Sequence, residues 1–158
     1  WLHSNAADLG FDDKRIDVAG HSAGAHLIAM VLAQAPSVFS LPDGMIRRAY
    51  LMSGIYELSP VLNISVNHEI RLGPEDIHAL SPIHFPPSKN TPYEIMVGAA
   101  EPPGWVAQSV DFASNLSEQG AQSNLTILPG RNHYSILQDM EAPDGLLAAR
   151  FIKDIQGD

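Results

Sequence analysis

The chain contains no cysteine, which removes a disulfide framework and any thiolate metal site from consideration. Basic residues are scarce: 9 Lys and Arg stand against 18 Asp and Glu, for a formal net charge of −9. Nucleic acids and anionic membrane surfaces are recognised through basic patches, so this balance argues against both as partners. No apolar run approaches the roughly 20 residues of a membrane span, and no signal-peptide pattern is visible. A cytoplasmic setting fits these absences. An initiating methionine is missing as well. The chain opens on Trp1 inside a helical pattern, which reads as the C-terminal part of something longer.

What is present suits an ordinary globular protein. Its 158 residues, 45% hydrophobic and 17% charged, make one domain with enough material to bury a core. Residues 1–10 read as the end of a helix, with Trp1, Ala6 and Leu9 on an apolar face and Gly10 as its stop. A strand is expected at about 15–19 and a helix from Ser22 to about Gln34, ending before Pro36. Strands follow at 47–53, 93–97 and 125–128, with helices at about 105–119 and 143–155. Between them, residues 55–92 are irregular and Pro-rich, with one short helix near 74–80. That length suits a cap or pocket wall better than a loop. The order β-α-β-cap-β-α-β-α predicts an α/β fold of about four parallel strands with flanking helices, the strand before Ser22 lying at an open edge.

The most informative stretch is Gly20-His21-Ser22-Ala23-Gly24, a G-x-S-x-G sequence between the strand and a strong helix former. A serine on so sharp a turn adopts a strained backbone, and side chains at Gly20 and Gly24 are expected to collide with the adjoining elements. The turn sets Ser22 at a helix N-terminus, where the N–H of Ala23 can donate to an oxyanion.

A serine hydroxyl needs a base, itself oriented by a carboxylate. In open α/β sheets such groups lie just beyond the carboxyl ends of strands. Glu101 follows the strand at 93–97 and His133 follows the strand at 125–128, in the order serine, acid, histidine. Asp111 is a rival acid, ranked lower because it falls inside a predicted helix. His21, Tyr56 and Tyr134 are candidates for the pocket, and His26, one turn after Ser22, suits a core or supporting role. The histidines show no metal-ligand spacing, and this chemistry calls for no metal or organic cofactor.

Together these residues resemble the α/β-hydrolase esterases, and specifically the kynurenine formamidase (arylformamidase) branch. The resemblance rests on the segment from Gly20 to Leu27, on 53–60 (SGIYELSP), 80–83 (LSPI) and 97–101 (VGAAE), and on 132–137 (NHYSIL). It implies an α/β-hydrolase C-terminal half, with Ser22 as nucleophile, Glu101 at the acid position and His133 as base. It further implies hydrolysis of a small aryl formamide, such as N-formylkynurenine in tryptophan catabolism. Two departures stand out. Formamidase members commonly carry aspartate where Glu101 stands, and the family's H-G-G-type oxyanion loop has no counterpart in this sequence. A short-chain carboxylesterase is the alternative activity, and a truncated, non-catalytic remnant is the alternative class. The expected partner is a small ester or aryl formamide, and the sequence leaves a homodimer open.

Overall fold

A computed structural model describes residues 1–33, 44–142 and 144–157. Its centre is a sheet of four parallel strands in the order β1-β2-β3-β4: Ile16–His21, Ile46–Met52, Tyr93–Gly98 and Ser123–Leu128. Strand order equals chain order, so β1 lies at an edge among the described residues.

The two middle strands are buried on both faces and sort their side chains by parity. Ala49, Leu51, Tyr93 and Ile95 join one core with Ala25, Ala29 and Leu32 of α2 (Ala23–Leu32) and Phe112 and Leu116 of α5 (Pro103–Glu118). Tyr50, Met52 and Met96 face the other way, against Ile136 and against Leu147 of α7 (Leu146–Gln156). Helices therefore cover both faces of the sheet. A polar lock reinforces the second face. Glu94, only 2% exposed, accepts from Arg48 at 3.1 Å and from Arg150 at 3.0 Å, while Asp154 takes Arg150 at 3.0 Å and the Tyr50 hydroxyl at 3.0 Å. These paired charges link β2, β3 and α7 and fix the seat of α7 on the sheet.

Several expected boundaries shift for identifiable reasons. The N-terminal helix is a 3₁₀ turn (His3–Asn5) and a four-residue α1 (Ala6–Leu9), stopped by Gly10 at φ +73°. Of its three anticipated apolar residues only Ala6 is buried; Trp1 and Leu9 are 80% and 51% exposed. The helix after Ser22 ends at Leu32, where Ala33 turns extended to bridge Pro87; Gln34 and Pro36 lie outside the described residues. The segment 55–92 holds two short helices rather than one, α3 (Asn67–Ile70) and α4 (Asp76–Leu80), with 3₁₀ turns at Ser59–Asn63 and Pro82–His84. The last helix starts at Leu146 and is preceded by a 3₁₀ turn (Ser135–Leu137) and by α6 (Gln138–Glu141); Pro143 lies outside the described residues.

Candidate active site

The turn after β1 carries Ser22 at φ +55° and ψ −117°, a strained conformation that L-residues rarely adopt. It is tied down on both sides. The Ser22 N–H donates to the Met52 carbonyl at 2.9 Å, extending the parallel ladder, and the Ser22 carbonyl accepts from His26 N–H at 3.1 Å in the first turn of α2. The two glycines of the motif are not equivalent. A Cβ on Gly20 would lie 2.5 Å from the carbonyl carbon and oxygen of Gly24, whereas a Cβ on Gly24 meets nothing within 4 Å. Only the first glycine is demanded by close approach, which corrects the expectation for the second.

Two loops bring the partners to Ser22. Glu101 sits on the turn after β3, and His133 on the turn after β4. The loops touch through Gly98, whose missing side chain lets the Arg131 carbonyl occupy the space a Cβ would need, and the Ala100 N–H donates to that carbonyl at 2.9 Å. The Asn132 side chain accepts from the N–H groups of Tyr134 and Ser135 at 3.0 and 2.9 Å, shaping the histidine turn.

The result is a hydrogen-bonded chain. His133 Nε2 lies 3.0 Å from Ser22 Oγ, and His133 Nδ1 lies 2.9 Å from Glu101 Oε2. A carboxylate can only accept, so Nδ1 carries the proton and Nε2 offers its lone pair to the serine hydroxyl. Glu101 is 5% exposed, and its other oxygen accepts from Ser53 Oγ at 2.5 Å and from the Gly98 N–H at 2.8 Å. Asp111, the rival acid, is an exposed residue of α5.

A cavity of about 790 Å³ opens in front of Ser22, with Ala23, Glu101, His133 and Tyr134 also on its wall. Ala23 is the first residue of α2, so its N–H lacks an acceptor four residues back and is free to face a ligand oxygen. The far wall is built by residues 55–80, chiefly Ile55, Leu58, Val61, Ile64, Ile70 and Leu72. None of the described lining residues is lysine or arginine.

Of the three pocket candidates, only Tyr134 lines this cavity. Tyr56 is fully buried and stacks on Phe112 with ring centroids 4.1 Å apart and planes 7° from parallel. The cause is its neighbour. A Cβ on Gly54 would sit 2.5 Å from the Tyr56 ring, so the glycine lets the ring fold back into the core. Burial also pushes the Tyr56 hydroxyl far up from the ordinary tyrosine range. His21 turns behind the site, where its Nε2 meets the His133 carbonyl at 2.7 Å. Sequence reasoning missed two participants, Ser53 and Trp105. Ser53 anchors Glu101. Trp105 lies edge-on to the His133 ring at 5.3 Å, and His26 holds the Leu80 carbonyl at 2.8 Å, joining α2 to the cavity wall. The one local signal for Ser53 is its place directly after β2, as Ser22 directly follows β1.

Four parallel strands, helices on both faces and a strained serine turn define the C-terminal half of an α/β-hydrolase fold. The chain belongs to the prolyl oligopeptidase family, whose model matches residues 3–151. It is 32% identical over 142 residues to kynurenine formamidase of Salmo salar, covering 86% of this chain and 48% of the relative. It is 29% identical over 153 residues to esterase LipQ of Mycobacterium tuberculosis, covering 84% and 36%. Among solved structures it is similar to a propionate-bound thermophilic esterase, Est2 of Thermogutta terrifontis. The TM-score is 0.70 at 25% identity, over 99% of this chain and 61% of that one. The chain thus spans about half the length of the kynurenine formamidase it matches. Among the described residues no helix is long and apolar enough to cross a membrane.

Proposed function

We propose that this chain carries the catalytic residues of a serine hydrolase that transfers an acyl group to water through an acyl-enzyme on Ser22. The observation behind this reading is the Ser22–His133–Glu101 chain, with its contacts of 3.0 and 2.9 Å. His133 removes the hydroxyl proton as Ser22 Oγ attacks the carbonyl carbon, and the imidazolium is held by the Glu101 carboxylate. Charge forming on the carbonyl oxygen meets the N–H of Ala23 and the positive end of α2. His133 then protonates the departing nitrogen or oxygen, and water, deprotonated by the same imidazole, releases the acid and restores Ser22.

The substrate favoured is a small aryl formamide such as N-formylkynurenine, hydrolysed to the free amine and formate. The similarity to a kynurenine formamidase and the stretches at 53–60 and 132–137 support this choice. The second reading, a short-chain carboxylesterase, is favoured by the apolar cavity wall, which holds no lysine or arginine among its described residues to meet an amino-acid carboxylate. Kinetics on N-formylkynurenine and p-nitrophenyl acetate separate the two. A higher kcat/KM on the formamide supports the first reading, and a much higher one on the ester rejects it. Turnover that survives Ser22→Ala rejects both, and a Ser22 that no fluorophosphonate labels leaves a non-catalytic domain.

A further inference from the structure

The chain from Ser22 to Glu101 does not end at the carboxylate. Ser53 follows β2 directly, its N–H donates to the Met96 carbonyl at 2.7 Å, and it is fully buried. It adopts φ +49°, one of only three non-glycine residues with positive φ among those described, Ser22 being another. Glycine would take that conformation without strain, so a serine held there points to a use for its hydroxyl. That hydroxyl donates to Glu101 Oε1 at 2.5 Å, beside the Gly98 N–H at 2.8 Å on the same oxygen. The main chain of Ser53 works in parallel. Its carbonyl accepts the Trp105 indole N–H at 3.1 Å, and the Trp105 ring meets the His133 ring edge-on.

We propose that Ser53 is the positioning residue of this site, holding Glu101 so that Oε2 faces His133 Nδ1. The proposal rests on the triad reading above and adds a fourth member to it. The physical need comes from the length of glutamate. Compared with aspartate it has one more rotatable bond, and a single contact to the imidazole leaves the carboxylate free to swing. Two donors on Oε1 remove that freedom before substrate arrives, which is what preorganisation requires. Ser53 does not reach the cavity, so it acts only through Glu101 and Trp105.

The test uses the 158-residue chain with Ser53→Gly, Ser53→Ala and Ser53→Cys. Three quantities are read: thermal midpoint, the maximal rate of fluorophosphonate labelling at Ser22, and the downfield proton resonance of His133 Nδ1–H, assigned by its loss in His133→Gln. Ser53→Gly relieves the positive φ, so it folds even if Ser53→Ala is poorly tolerated. Loss of positioning predicts labelling slowed about tenfold to a hundredfold in the glycine and alanine variants at unchanged probe affinity. The Nδ1 resonance should move upfield or broaden away, and the cysteine variant, with its weak donor, should fall between. Labelling at the wild-type rate with the resonance in place would overturn the proposal. So would a loss confined to Ser53→Ala, which would trace the effect to the backbone. If wild-type Ser22 is not labelled at all, the hydrolase reading fails on its own. The resonance then decides: its loss in Ser53→Gly supports the positioning role, and its persistence ends it.

Discussion

The Nε2–H of His21 donates to the main-chain carbonyl of His133 at 2.7 Å, with the two rings 4.7 Å apart, so the residue before Ser22 is tied to the loop that carries His133. Burial pushes the His21 imidazole below its ordinary 6.5; its contact with the His133 carbonyl pulls the other way, and the neighbouring His133 adds to the depression. A histidine depressed in the folded state is protonated first in the unfolded chain. Its contribution to stability is present in full above the unfolded value and is lost as pH falls through the folded one. The thermal midpoint should therefore decline on acidification below about pH 6.5. His21→Gln keeps an N–H donor but does not titrate, so its midpoint should decline less over the same range. Parallel curves for the two proteins would remove His21 from the account.

Glu101 has both oxygens occupied, one by His133 and the other by Ser53 and Gly98. Glu101→Gln preserves shape but removes the charge that stabilises the imidazolium in the proposed mechanism, and should slow turnover or Ser22 labelling by about 10²- to 10⁴-fold. Glu101→Asp keeps the charge but withdraws the carboxylate by one methylene, so it cannot reach Ser53, Gly98 and His133 together. It should lose about tenfold or more, the cost of misplacement rather than of neutralisation. An aspartate variant as fast as the parent would show that the position tolerates either length.

The serine turn yields a stability prediction. Gly20→Ala places a methyl 2.5 Å from the main chain of Gly24 and 2.8 Å from the Ala25 nitrogen, and backbone cannot step aside as a flexible side chain does. The variant should unfold several degrees earlier and lose Ser22 reactivity. Gly24→Ala adds a methyl with nothing within 4 Å, inside a helix, where alanine gains about 0.5–1 kcal/mol over glycine. Its midpoint should hold or rise. Equal losses in the two variants, measured by thermal unfolding, would contradict the geometry.

The elements of this chain were legible wherever the signal was local. The strand-serine-helix turn announces itself within about fifteen residues, and the four strands follow from buried runs flanked by turns. Ser53 was obscured because its partner is 48 positions away. An adjacent serine and glycine at the end of a strand read as a turn until Glu101 is folded onto them. Tyr56 was misplaced for a related reason. An aromatic beside the site suggests a pocket wall, but Gly54 opens space on the core side, and the ring takes it. Residues 55–72 carry no clear period because they form 3₁₀ and single-turn helical pieces, whose apolar side chains face the cavity rather than a second element.

The cavity wall supplies the sharpest test of substrate class. Ile70 lines the cavity and is 52% exposed, so Ile70→Arg should change stability by no more than about 0.5 kcal/mol. It places a cation where the described wall has none. A partly exposed ion pair contributes about 0.2–1 kcal/mol, which corresponds to a shift of roughly 1.5- to 5-fold in kcat/KM. The variant should gain by that factor on N-formylkynurenine, which bears a carboxylate, relative to the uncharged p-nitrophenyl acetate, and the gain should shrink as salt is raised. A ratio that does not move, or that moves without responding to salt, would mean that the carboxylate of the formamide is held elsewhere than against the segment between β2 and β3.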